Sequence, residues 1–81
     1  MRTLLETCWQ LRTQGGHLLT CEIHRDHGPG VEVRVGFSDE DPMRTQWMHQ
    51  ITLARELAAG WKQSALDGGG FEEVAEEQLR R

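Results

Sequence analysis

The stretch "GVEVRVGFSDEDP", residues 30–42, decides how the chain is built. Val31, Val33, Val35 and Phe37 alternate with Glu32, Arg34 and Gly36, which predicts a half-buried strand. The acids that follow run into Pro42 and predict a helix start, with Asp41 as N-cap and proline at the first helical position. Ser38, Asp39 and Glu40 add polar and negative groups near the positive end of that helix dipole.

Upstream, "CWQLRT" (8–13) and "HLLTCEIH" (17–24) read as strands around the loop Gln14-Gly15-Gly16, and "DHGPG" (26–30) reads as a second turn. Residues 1–7 form a lead-in, either one helical turn or an extended continuation of the first strand. Pairing Thr13 with His17 leaves a three-residue loop and sets Trp9 opposite Cys21 and Leu11 opposite Leu19. A two-residue turn would put Trp9 opposite Glu22 and split the apolar set between faces, so the longer loop is preferred. The same logic pairs Arg25 with Val31, Ile23 with Val33 and Cys21 with Val35.

Downstream, Trp47, Ile51, Ala54, Ala58, Trp61 and Ala65 recur at helical spacing, flanked by Leu53 and Leu57 and stopped by Gly68-Gly69-Gly70. A helix from Pro42 spans about 24 residues, or about 36 Å, against about 27 Å for an eight-residue strand. One end must overhang or curl off early. The tail "FEEVAEEQLRR" (71–81) forms a short helix or frays, with Phe71 packing back.

The expected fold is α+β: a three-stranded antiparallel β-meander of order 1-2-3 on one long amphipathic helix. Residues 1–70 make a single βββα domain and 71–81 a partly ordered tail. Its core is Trp9, Leu11, Leu19, Cys21, Ile23, Val33, Val35, Phe37, Trp47, Ile51, Ala54, Leu57, Ala58 and Trp61. Strands 1 and 3 would both expose edges, which favours self-association through an edge strand or the overhanging helix. Met43, Met48 and Leu66, off the main stripe, point the same way.

Composition narrows the function. The chain has 81 residues, 37% hydrophobic and 27% charged, with nine Lys plus Arg against thirteen Asp plus Glu and a formal net charge of −4. Phosphate binding rests on clustered cations, whereas Arg2, Arg12, Arg25, Arg34, Arg44, Arg55 and Lys62 are scattered singly. No apolar run approaches the roughly 18 residues of a membrane span. "MRTLLETCWQ" lacks the apolar stretch of a secretory signal, so a cytoplasmic protein is expected.

Candidate sites are few. His17, Cys21, His24 and His27, with Cys8 nearby, are donors that zinc accepts. Of these, Cys21, His24 and His27 are the metal candidates, but the register turns Cys21 inward and His24 outward, so no metal site or cofactor is assigned. Cys8 falls outward opposite Glu22 in the same register, apart from Cys21, so no disulfide is expected. Neither Ser38 nor Ser64 sits in a glycine-flanked elbow, and "DGGGF" lacks the lysine of a phosphate-binding loop. On the outer face Glu22 pairs with Arg34, His24 with Glu32 and Gln10 with Thr20, which reads as a solvated sheet face.

The segment "QGGHLL" (14–19) resembles the glycine-x-histidine segment of HicA-type ribonuclease toxins, whose fold also sets three strands before a helix. That resemblance implies His17 as a general acid–base residue, the one catalytic candidate. It covers four or five residues, and Gly16 stands where those toxins carry a hydroxyl residue. An exposed histidine beginning a strand is the preferred reading, and no catalytic residue is assigned. Strands followed by a helix also resemble double-stranded-RNA-binding domains, yet the helix start "DEDPMRTQ" is acidic where those domains are basic. Taken together, the Trp9–Cys21 pattern, "GVEVRV" and "WKQSALDGGGF" resemble a loose group of small uncharacterised bacterial proteins, a likeness over residues 9–71 that implies no activity.

The expectation is therefore a small non-enzymatic interaction or accessory protein of the bacterial cytoplasm. It self-associates or binds a protein partner and engages no nucleic acid and no membrane. The alternative is a nucleic-acid-related protein, RNA-binding or a HicA-like ribonuclease using His17, which the acidic charge opposes.

Overall fold

The computed structural model of the protein describes residues 2–37 and 42–74. Ser38–Asp41, with the expected N-cap, and residues 75–81 lie outside the described residues. The fold is α+β, with strands β1 (Thr3–Thr13), β2 (Leu18–Arg25), β3 (Val31–Phe37) and β4 (Arg44–Met48), helix α1 (Ile51–Gly68) and strand β5 (Phe71–Glu73). Among the described residues the sheet has five antiparallel strands in the order β4-β3-β2-β1-β5. The expected three-stranded meander forms its centre, and β4 and β5 are added at its two edges.

The central register follows the hydrophobic alternation. Trp9 faces Cys21, Leu11 faces Leu19, Cys21 faces Val35 and Ile23 faces Val33. Thr13 N donates to His17 O at 2.9 Å, closing the three-residue loop. Any one-residue slip would turn this apolar set to water. The lead-in is extended, and β1 continues to Thr3 with register shifts between Leu4 and Glu6 and between Thr7 and Trp9. Leu5 and Cys8 are the inserted residues of two β-bulges, which bend and twist the strand.

The helix differs most from expectation. It starts at Ile51 rather than Pro42 and runs 18 residues, about 27 Å, which matches the strands beneath it. No overhang remains. Residues 44–48 form β4 because "RTQWM" also alternates: Arg44, Gln46 and Met48 face one side, Thr45 and Trp47 the other. Helix formation there would have left the β3 edge unpaired, and the β4 ladder satisfies it instead. Trp47 fitted the helical spacing by coincidence and is 58% exposed, outside the core.

The tail departs from expectation as well. Gly69 and Gly70 adopt φ of 78° and 87°, a left-handed reversal that suits residues without a Cβ, and Gly69 N caps Leu66 O at 3.1 Å. The chain then runs back as β5, Phe71 opposite Thr13 and Glu73 opposite Leu11, rather than forming a helix. Val74 N bonds Gln10 O at 3.2 Å, and the Val74 side chain is buried. The edge of β3 is thus covered by β4, whereas β5 covers β1 only at Leu11–Thr13; among the described residues the rest of β1 keeps the open edge expected of it.

The core lies between the helix and one sheet face. Ala54, Ala58 and Trp61 are buried against Trp9, Leu11, Leu19, Cys21, Ile23, Val31, Val33 and Val35. Phe37, Ile51 and Leu57, expected inside, are half-buried at its margin. Small alanines let the helix approach closely, and Trp9 Nε1 donates to Ala58 O at 2.7 Å in the buried layer. Arg44 lies over the Trp61 ring at 4.4 Å, and Arg55 bonds Glu6 at 2.8 Å, pinning the helix at its flanks. Among the described residues no helix is long and apolar enough to cross a membrane.

Replacing Trp9 by Phe removes the indole donor while keeping an aromatic ring. The expected loss is about 1–3 kcal/mol, read as a lower urea midpoint with an unchanged slope.

Candidate functional site

One helix covers one side of the sheet, and the described residues leave the other face open. The registers set its side chains in rows across four strands. Leu4, His24, Glu32 and Trp47 share one row, and Thr7, Glu22, Arg34 and Thr45 share the next. Gln10, Thr20 and Gly36 follow. These positions alternate with the core set, so the sequence placed most of them correctly.

At the centre sit Glu22, His24, Glu32 and Arg34. Acid and base alternate both along and across the strands, as on a checkerboard. The expected cross-strand neighbours are opposite each other, but the bonds close along each strand. His24 Nε2 donates to Glu22 Oε1 at 3.0 Å, and Arg34 Nη1 donates to Glu32 Oε1 at 2.6 Å. Gln10 Nε2 donates to Thr20 Oγ1 at 3.2 Å. His24 and Arg34 are 13% and 19% exposed, low values for a face with no layer above it. His24 Nδ1 is buried with no partner among the described residues.

A groove of about 390 Å³ runs over this cluster, lined among others by Thr7, Thr20, Glu22, His24, Arg34 and Phe37. Its lining carries one acid, Glu22, against Arg2, Arg34 and His24, with Thr7, Gln10 and Thr20 as neutral hydrogen-bonding groups. Trp47 closes one end of the face and Leu4, 49% exposed, the other. The Trp47 indole lies against Gly30, whose φ is 98°; a Cβ there would come within 2.4 Å of the ring.

The predicted site residues do not converge. His17 is exposed at the β1–β2 hairpin, edge-on to Phe37 at 6.4 Å, and lies outside the groove lining. Cys21 is buried on the helix side, His24 sits on the open side, and His27 projects from the β2–β3 turn beside Asp26 at 3.2 Å. No group of three or more His, Cys, Asp or Glu suited to a metal ion occurs among the described residues. Trp47 was missed because its helical spacing hid the alternation of "RTQWM".

Cys8 is a further correction. The bulge puts Thr7, not Cys8, opposite Glu22, and Cys8 packs half-buried against the core cluster that contains Cys21. Both thiols are free and hydrogen-bonded to each other. The bond from Cys21 lowers the Cys8 pKa, against burial and Glu6 and with help from Arg55. The same bond, with burial, pushes Cys21 far up. The bond to Glu6 raises Arg55, keeping that cation beside Cys8 charged.

No family model, curated protein or solved structure matches this chain.

Gly30→Ala adds a methyl group into the Trp47 ring at a positive φ. The expected cost is about 1–3 kcal/mol in thermal or urea unfolding, with a shift in tryptophan emission as Trp47 is displaced.

Proposed function

We propose that this is a small non-enzymatic interaction protein that acts as a homodimer through its open sheet face. The observation that carries the reading is the symmetry of the rows. Read from β1 to β4, one row is apolar, base, acid, apolar (Leu4, His24, Glu32, Trp47). The next is polar, acid, base, polar (Thr7, Glu22, Arg34, Thr45). A two-fold axis running between β2 and β3, parallel to the strands, lays each row over its own reverse. Glu22 then meets the partner's Arg34, His24 meets the partner's Glu32, and Leu4 meets the partner's Trp47. Two-fold interfaces require this self-complementarity.

The dimensions set the scale of the contact. Strands β1, β2 and β3, with 11, 8 and 7 residues, run about 24 Å or more, whereas β4 and β5, with 5 and 3 residues, run about 17 and 10 Å. At about 4.8 Å between strands, the face lies below the roughly 800 Å² per partner of a standard interface and fits the smaller class. Two such sheets stack about 10 Å apart as a sandwich, with waters bridging the polar centre. Helix α1 and its flanking ion pairs face away from this contact and leave it unobstructed.

Sedimentation equilibrium at tens of micromolar tests the proposal. A dimer is expected, and Glu22→Arg, which sets base over base, weakens it at least tenfold, equivalent to about 1.4 kcal/mol. The double exchange of Glu22→Arg with Arg34→Glu again sets an acid over a base across the two-fold in that row and recovers association. A monomer at that concentration, or a dimer indifferent to both changes, overturns the face-to-face assignment.

A further inference from the structure

We propose that Cys8 and Cys21 form a modification site, a dithiol that hydroperoxides convert to an intramolecular disulfide joining β1 and β2. The site is created by the bulge. Register pairs Thr7 with Glu22 and Trp9 with Cys21, so the inserted Cys8 has no opposite residue of its own. Both bulge residues, Cys8 and Trp9, stand against Cys21, and Cys8 packs on the core cluster to which Cys21 belongs. In a bulge both residues of the longer strand oppose a single partner, which sets Cys8 beside Cys21, where a disulfide needs Cα atoms roughly 4.4–6.8 Å apart. Each thiol is the largest influence on the other's titration, as neighbouring thiols are.

The two cysteines have different parts. Cys8 is half-buried and accessible to a small oxidant, whereas Cys21 has no exposed surface. Its neighbours also divide the work. The Cys21 thiol donates to Cys8, and Arg55, held by Glu6, adds positive charge near it, so the thiolate forms on Cys8. Cys8 is therefore the attacking sulfur and Cys21 the resolving one.

The chemistry balances in two steps. Cys8 thiolate attacks the terminal oxygen of the hydroperoxide, the O–O bond breaks, and the departing alkoxide takes up a proton to leave as alcohol. Cys8 is now a sulfenic acid. The Cys21 sulfur then attacks the Cys8 sulfur, the S–O bond breaks, and hydroxide leaves with the Cys21 proton as water. Two thiols lose two electrons and two protons, and the hydroperoxide is reduced to alcohol and water. Thiol reductants reverse the bond by exchange.

The test treats the folded protein with one equivalent of hydrogen peroxide, followed by intact mass and tryptic mapping. The expected product has lost two hydrogens, carries a Cys8–Cys21 cross-linked peptide, melts several degrees higher and reverts with dithiothreitol. Cys8→Ser abolishes the reaction with peroxide. Cys21→Val, which fills the core without a thiol, accumulates a Cys8 sulfenic acid that dimedone traps. Iodoacetamide should label Cys8 ahead of Cys21 and at lower pH than an unperturbed thiol. The proposal fails if the cross-link forms only in urea or only between chains. It fails equally if peroxide carries wild-type Cys8 to sulfinic acid without cross-linking.

Discussion

The bond from Trp9 Nε1 to the Ala58 carbonyl, 2.7 Å long and buried, fixes where the helix lies on the sheet. A buried indole donor must find an acceptor or lose about 1–3 kcal/mol, so Trp9 holds the helix at one place along its length. From that point the helix face is set, with Ala54 and Ala58 against the valine rows and Trp61 under Arg44. The bulge at Cys8 belongs to the same arrangement, because it inserts the residue immediately before this tryptophan and brings two thiols together.

A single helix can cover one face of a five-stranded sheet and no more. The face left over is polar, but its central side chains lie flat and largely covered, locked in pairs along β2 and β3. Opposite charges there satisfy one another within the chain, yet their alternation leaves the whole pattern complementary to its own image. The bland reading of this face as merely solvated and the proposed contact between copies rest on the same alternation. They differ in the apolar residues, Leu4 and Trp47, that end the central row.

The legible parts of the fold were those governed by period two. Val31, Val33 and Val35, together with Leu19, Cys21 and Ile23, determined the register of β2 and β3, and the loop at Gln14–Gly16 determined that of β1 near its end. The polar side follows automatically, so the same alternation makes Glu22, His24, Glu32 and Arg34 neighbours. Their bonding along the strands rather than across was not readable, since both directions offer an opposite charge at similar reach. Cys8 was placed on the wrong face because a bulge shifts the count by one residue, and nothing in "ETCWQ" marks where the insertion falls.

What the sequence determined by itself was therefore local: three alternating strands, their turns, an amphipathic helix ending at the glycines, and the division into an apolar and a charged face. Tertiary structure decided the rest. "RTQWM" fits a helical stripe and an alternating strand alike, and the open edge of β3 selected the strand by pairing its backbone. "FEE" is too short to carry any preference, and the reversal at Gly69–Gly70 delivered it to the open edge of β1. Edge strands draw their stability from partners distant in sequence, so their existence is written in the unpaired hydrogen bonds of the assembled sheet rather than in their own residues.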